Sequence, residues 1–196
     1  MDKLLDILKT MPEYTAALET LRDGKSAAIT GIGQINRSHI IAGIYTHTQM
    51  PLVVICQDDL AAKRLCQELK AFLGIDCPLL PSRELTLYDS AVVSRGWEQK
   101  RLKQLYDLSA GRTRMQIMSW DALSQRTMPP TALNQAVFSL CVGKTYELDA
   151  LLQKLTAAGY TRSPMVEGPG QFAVRGGILD VYPSAAEQPI RAEFFG

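Results

Sequence analysis

The sequence has few of the residues from which a metal site is built, and it has no long hydrophobic run. It contains four cysteines without a Cys-x-x-Cys pair and two histidines, His39 and His47, so the ligand spacing of a zinc module is absent. No apolar run approaches the roughly 20 residues of a membrane-spanning helix. Residues 1–10 are amphipathic and carry acidic side chains, so they are unlike a signal peptide. We therefore expect a reduced cytoplasmic protein without a metal or a membrane contact.

The sequence also lacks a surplus of either charge. Its 21 basic and 20 acidic residues give a formal net charge of +1. A dedicated nucleic-acid-binding protein usually carries a basic patch or stripe, so DNA binding without catalysis is an unattractive hypothesis. With 196 residues, 46% of them hydrophobic, the chain can bury one good core or two small ones.

Strand-like and helix-like patterns alternate up to about residue 127. Apolar runs at 26–30, 51–56 and 113–120 predict buried strands, and "DCPLLPS" (76–82) predicts a short one. The segments between them have helical spacing over 10–15 residues, as in βαβ units. We therefore predict an α/β domain with a parallel sheet over residues 1–127.

A different pattern begins after "MPP" (128–130). Residues 135–143 are strand-like, residues 147–159 form an amphipathic helical pattern, and four short strand-like segments follow, joined by Gly and Pro turns. This order is typical of an antiparallel sheet with one helix. We predict a small α+β domain with a mainly antiparallel sheet over residues 128–196.

The stretch "AAITGIGQINRSHII" (27–41) has the strand, glycine turn and helix of a phosphate-binding loop. A working loop of this kind needs a second glycine for close backbone approach, a lysine for the β- and γ-phosphates, and a hydroxyl for magnesium. Here Asn36 replaces that glycine, Arg37 replaces the lysine, and Ser38 keeps the hydroxyl. We interpret the stretch as a degenerate P-loop without a nucleotide cofactor. The positions of this loop are Gly31, Gly33, Asn36, Arg37 and Ser38.

Residues 159–196, "GYTRSPMVEGPGQFAVRGGILDVYPSAAEQPIRAEFFG", carry the most specific pattern. They closely resemble the F-x-x-R-G-G-I-L-D signature, with its later P-x-R-x-E-F-F-G, of the transcription-repair coupling factor family; the helicase UvrB has a related version. Residues 84–90, 101–108 and 116–123 are also similar to segments of that family. The resemblance implies a helicase-like α/β domain followed by a small mixed domain, and it indicates a fragment of a longer protein. The degenerate P-loop and the short segment after Tyr88 favour this family over UvrB, which has an intact P-loop and a DNA-gripping β-hairpin.

What the resemblance implies is a docking function. In both families the small domain binds UvrA, the damage-recognition ATPase, largely through arginines, and the matching positions here are Arg162 and Arg175. Phe172 alternates with these residues and could be core or contact, so we include it among the candidates. Ala173 stands where UvrB-type sequences often have a third arginine. RNA polymerase and DNA are expected to be bound by the remainder of the longer protein.

We therefore expect a non-catalytic UvrB-homology module that recruits UvrA to stalled RNA polymerase in transcription-coupled nucleotide excision repair. The alternative is a divergent UvrB-like, ATP-dependent DNA helicase fragment that still binds nucleotide at Gly31–Ser38. Binding of an ATP analogue with magnesium separates the two hypotheses.

Overall fold

A computed structural model of the chain describes residues 2–83, 95–184, 186 and 188–194. The chain forms two compact units, one made of Met1–Ser82 with Gly111–Gln125 and the other of Arg83–Ala110 with Arg126–Gly196. The domain ranges 1–127 and 128–196 stay predictions.

The described residues form short and medium helices and two sets of strands. In chain order these are α1 (Asp2–Asp6), a 3-10 helix (Ile7–Thr10), α2 (Pro12–Arg22), α3 (Gln34–Thr48), β1 (Leu52–Cys56), α4 (Asp59–Leu73), β2 (Leu79–Leu80), α5 (Arg95–Ser109), β3 (Met115–Ser119), α6 (Trp120–Ser124), α7 (Pro130–Ala136), α8 (Leu148–Ala157), β4 (Thr161–Arg162), β5 (Gln171–Arg175), β6 (Ile178–Tyr182) and β7 (Ile190–Glu193).

The first unit contains a parallel three-stranded sheet in the order β1-β3-β2. Strand β3 is central and buried along its whole length, because it has a neighbour on either side. Its Met115 and Ile117 pack with Ala42 of α3 and with Leu65 and Leu69 of α4 in one hydrophobic cluster. The α/β class with a parallel sheet is thus confirmed.

Helix α4 has a capping residue at each end. Asp58 is the N-cap, and its Oδ1 accepts a hydrogen bond of 2.7 Å from the amide of Ala61. Gly74 closes the helix in the left-handed conformation, with φ of 69°, which glycine adopts without a Cβ penalty.

The strand predicted over residues 26–30 is wrong. These residues are exposed, lie in no regular element and make no hydrogen bond to any residue that the structure describes. The described sheet of this unit is built from β1, β3 and β2 without them. The predicted strand at 51–56 exists as β1, but only one of its faces is covered. Val53 and Ile55 on the other face are 53% and 49% exposed, so an apolar run here did not require burial on both faces.

The second unit contains a four-stranded mixed sheet in the order β4-β5-β6-β7. Strand β4 pairs in parallel with β5, and the other two pairings are antiparallel. Leu151 and Leu155 of α8 pack on Phe172, Leu179 and Val181, which gives this sheet one helix-covered face. We call the opposite face of this sheet the outer face.

Two further predictions concern the segments 135–143 and 84–90. The predicted strand at 135–143 is wrong: α7 takes its first two residues, and the rest lies outside any helix or strand. The family-like segment at 84–90 lies outside the described residues. Within the described ranges, no helix is both long and apolar enough to cross a membrane.

Candidate docking site

Arg162 lies on the helix-covered face of the four-stranded sheet. It is the last residue of β4 and sits opposite Phe172 of β5, whose side chain packs against α8. The Arg162 side chain is exposed and lines a shallow groove of ≈ 460 Å³. The other residues that line this groove are Leu152, Gln153, Thr156, Ala157 and Phe172. An arginine at the rim of an apolar groove can pair with a carboxylate while a neighbouring apolar group is buried.

Arg175 lies on the outer face. Side chains alternate along a strand, so Arg175 shares its face with Ala173, whereas Phe172 and Val174 face the helix. The guanidinium Nη2 donates a hydrogen bond of 2.8 Å to the carbonyl of Pro164. Arg175 is exposed and is held against the loop that leaves β4, which fixes the direction of its remaining donors.

Hydrogen bonds to the side chain of Gln171 also hold the loop 163–170 in place. The side-chain Oε1 of Gln171 accepts hydrogen bonds from the amides of Glu167 and Gly168, at 2.9 and 3.2 Å. Sequence reasoning did not identify Gln171 or Pro164 as part of the site. Their contacts depend on the strand register, which no local pattern in the sequence contains.

A cross-strand ion pair lies on the same face as Arg175. Arg191 of β7 is directly opposite Asp180 of β6, and its Nε and Nη2 donate to the two carboxylate oxygens at 2.7 and 2.9 Å. These hydrogen bonds lower the pKa of Asp180, and the charges of Arg191 and Arg175 act in the same direction. The carboxylate therefore stays ionised and occupied by Arg191.

Phe172 and Ala173 are both buried, at 2% exposed each. Phe172 belongs to the core cluster with Leu151 and Leu155, and it also forms the floor of the groove beside Arg162. Ala173 stands where UvrB-type sequences often have an arginine, and here a methyl group occupies a covered position. The role of Phe172 as a partner contact stays a prediction. Its burial shows that this side chain packs in the core.

The glycine turn at 31–38 does not have the architecture that the P-loop interpretation requires. Gly31 has a φ of 75° and Gly33 is the N-cap of α3, so turn and helix are present, but no strand precedes them. A cavity of ≈ 670 Å³ adjoins the turn, and Asn36 lines it, but Arg37 and Ser38 do not. Ser38 is instead 2% exposed within the unit. The degenerate P-loop is therefore not confirmed.

No group of three or more His, Cys, Asp or Glu side chains among the described residues is arranged to hold a metal ion. Burial raises the pKa of the Cys66 thiol to about 11, and Cys77 and Cys56 make smaller contributions in the same direction. A thiol with such a pKa is protonated at neutral pH and packs as a small apolar group.

The three candidate residues lie in a part of the chain that matches a known domain family. Residues 138–196 match the model of the UvrB interaction domain, and this range includes Arg162, Phe172 and Arg175.

Curated relatives extend the similarity along almost the whole chain. A transcription-repair-coupling factor of Myxococcus xanthus is 31% identical over 191 residues, 93% of this chain and 16% of the relative. The transcription-repair-coupling factor of Bacillus subtilis is 28% identical over 197 residues, covering 100% of this chain and 17% of the relative. That of Escherichia coli is 28% identical over 185 residues, 94% of this chain and 16% of the relative.

The chain thus spans 16–17% of the length of these three relatives. The similarity covers both sheets, and the specific signature at 159–196 falls within the matched domain. Over almost its whole length this chain is similar to one region of the transcription-repair-coupling factors, and its residues 138–196 match the UvrB interaction domain.

Proposed function

We propose that this chain is a non-catalytic docking module that binds UvrA and brings it to a stalled RNA polymerase in transcription-coupled nucleotide excision repair. The observation that carries the proposal is the coincidence of the UvrB interaction domain at 138–196 with a sheet that presents two exposed arginines, Arg162 and Arg175. A domain shared with UvrB is suited to bind the partner that UvrB itself binds.

The chemistry of the two arginines supports a protein partner with acidic groups. A guanidinium pairs with carboxylates through two parallel hydrogen bonds, and arginine is enriched among the residues that dominate interface energies. Neither arginine forms an ion pair with a carboxylate of the described residues. Both charges are therefore available to a partner.

The wider role rests on the relatives. Their name couples transcription to repair, and this chain corresponds to a small part of each. We infer that contacts with RNA polymerase and DNA, and any ATP-driven movement, belong to the rest of such a protein. This chain would then contribute the recruitment step alone.

The test is a titration of the chain with purified UvrA, followed by competition with UvrB. We expect saturable binding to UvrA that excess UvrB displaces, because both proteins would present the same domain to the same surface. Absence of binding to UvrA would overturn the proposal. Binding that UvrB leaves unchanged would show a different contact surface and would overturn the shared-site argument.

A further inference from the structure

Arg162 and Arg175, the two arginines identified from the sequence signature, lie on opposite faces of one sheet. Arg162 is opposite Phe172, on the side that α8 covers, and it lines the groove against that helix. Arg175 is on the outer face, with the Asp180–Arg191 pair. A flat partner surface laid on either face would reach one guanidinium and not the other.

Both arginines nevertheless approach the same edge of the sheet. Strand β4 is the outermost strand of the order β4-β5-β6-β7, and Thr161 and Arg162 are exposed. The Nη2 of Arg175 reaches the carbonyl of Pro164, two residues beyond Arg162 in the chain. Residues 161–165, which we call the β4 edge, are thus flanked by a cation on each face of the sheet.

The neighbourhood of the β4 edge differs between the two faces. On the helix side, Leu152, Ala157 and Phe172 form an apolar groove beside Arg162. On the outer face, the Asp180 carboxylate is already bound to Arg191, so it does not compete for Arg175. Met165 at the end of the β4 edge is 60% exposed and adds apolar surface to this edge.

We propose that the β4 edge inserts into an acidic cleft of UvrA, with carboxylates on both walls of the cleft. One wall pairs with Arg162 and places an apolar side chain in the groove against α8, and the other wall pairs with Arg175. This inference rests on the proposed function and specifies the shape of the partner surface, which must be concave. Charge complementarity on both faces is the argument for such a cleft.

Charge reversal on each face tests the arrangement. Purified UvrA is titrated with the wild-type chain, Arg162→Glu, Arg175→Glu and the double variant. Lys144→Glu is the matched control, because Lys144 is exposed, does not line the groove and undergoes the same change of charge. We expect each single reversal to weaken binding at least tenfold, the double reversal to weaken it further, and the control to change it less than threefold.

A neutral variant tests the groove separately from charge. Ala157→Phe fills the groove at the exposed end of α8, and we expect it to weaken binding to UvrA while Arg175 and its contacts remain intact. Circular dichroism and thermal unfolding of every variant establish that the loss is not a loss of fold.

The outcomes separate this inference from the proposed function. If only one reversal weakens binding, the partner lies on one face and the cleft is wrong, although the docking function stands. If the wild type binds and no reversal matters, the interface lies elsewhere and the cleft is again wrong. If the wild type does not bind UvrA, the proposed function fails, and the cleft fails with it.

Discussion

Asp180 and Arg191 face each other directly across strands β6 and β7, and two hydrogen bonds of 2.7 and 2.9 Å join the carboxylate to the guanidinium. This ion pair joins strands β6 and β7 on the outer face, near Arg175. It also makes the stability of the second unit depend on pH.

The hydrogen bonds from Arg191 depress the pKa of Asp180 in the fold. A depressed carboxyl pKa adds stability above the unfolded-state value, near pH 4, and the contribution is lost as pH falls through the folded-state value. We expect Arg191→Ala to lower the free energy of unfolding at pH 7 and to leave it nearly equal to that of the wild type in strong acid. Urea unfolding of both proteins at neutral and acid pH measures this, and an equal difference at both values would contradict it.

Gly177→Ala is expected to destabilise the second unit by about 1–3 kcal/mol, as overpacking does. A Cβ at Gly177 would lie 2.7 Å from the carbonyl oxygen of Phe194, whose amide donates to the Gly177 carbonyl at 2.8 Å. Gly168→Ala is the control, since its Cβ would meet nothing within 4 Å. Thermal unfolding compares the two, and equal effects would show that the approach of Phe194 does not matter.

Phe172→Ala is expected to cost about 3–5 kcal/mol of unfolding free energy, the usual range for a buried phenylalanine. The reason is that Phe172 is 2% exposed and packs on Leu151 and Leu155. Phe172→Leu should cost less and should keep binding to UvrA within a few-fold of the wild type. Strong loss of binding in a stable Phe172→Leu protein would instead identify the aromatic ring as a direct contact.

The first unit is expected to lose stability as pH falls from 7 to 5, through His47. Burial lowers the pKa of His47 in the fold, with a further contribution from Lys9, and Tyr14 Oη lies 2.8 Å from its Nδ1. Protonation in the unfolded chain, near pH 6.5, therefore favours unfolding, and the stability is present above that value. We expect His47→Gln to show a smaller change over this range in urea unfolding, and an unchanged slope would exclude His47 as the cause.

An ATP analogue with magnesium is expected not to bind saturably at the glycine turn. The cavity there is lined by Asn36, but neither Arg37 nor Ser38 lines it, so the groups that would replace the lysine and the magnesium ligand do not converge on it. Fluorescence titration measures the binding. Saturable binding that Arg37→Ala abolishes would restore the nucleotide-binding hypothesis.

Local patterns predicted much of the fold because their physical cause is local. The helix at 59–73 follows from its cap at Asp58 and its stop at Gly74, both of which act within one turn. The strand at 115–119 follows from an apolar run with a neighbour on either side. Residues 26–30 also follow a strand-like pattern, yet they form no strand among the described residues, because strand pairing depends on how distant parts of the chain are placed, which a local pattern does not contain.

The residues of the candidate docking site could be proposed from the sequence, but their arrangement in space could not. The signature at 159–196 identified Arg162 and Arg175, but their separation onto opposite faces depends on the register between β4 and β5. The hydrogen bonds that join the loop 163–170 to the side chains of Gln171 and Arg175 depend on the same register. Phe172 could be recognised as core only once its neighbours on α8 were known.

The order of strands in the first unit also determines when its sheet can form during synthesis. Strand β3 lies between β1 and β2, although it is synthesised after both of them and after helix α5, which belongs to the other unit. The first 82 residues therefore emerge with two strands that share no direct hydrogen-bonded edge. The sheet closes only when residues 115–119 are available, so a chain truncated after residue 110 has both flanking strands and lacks the central strand that joins them.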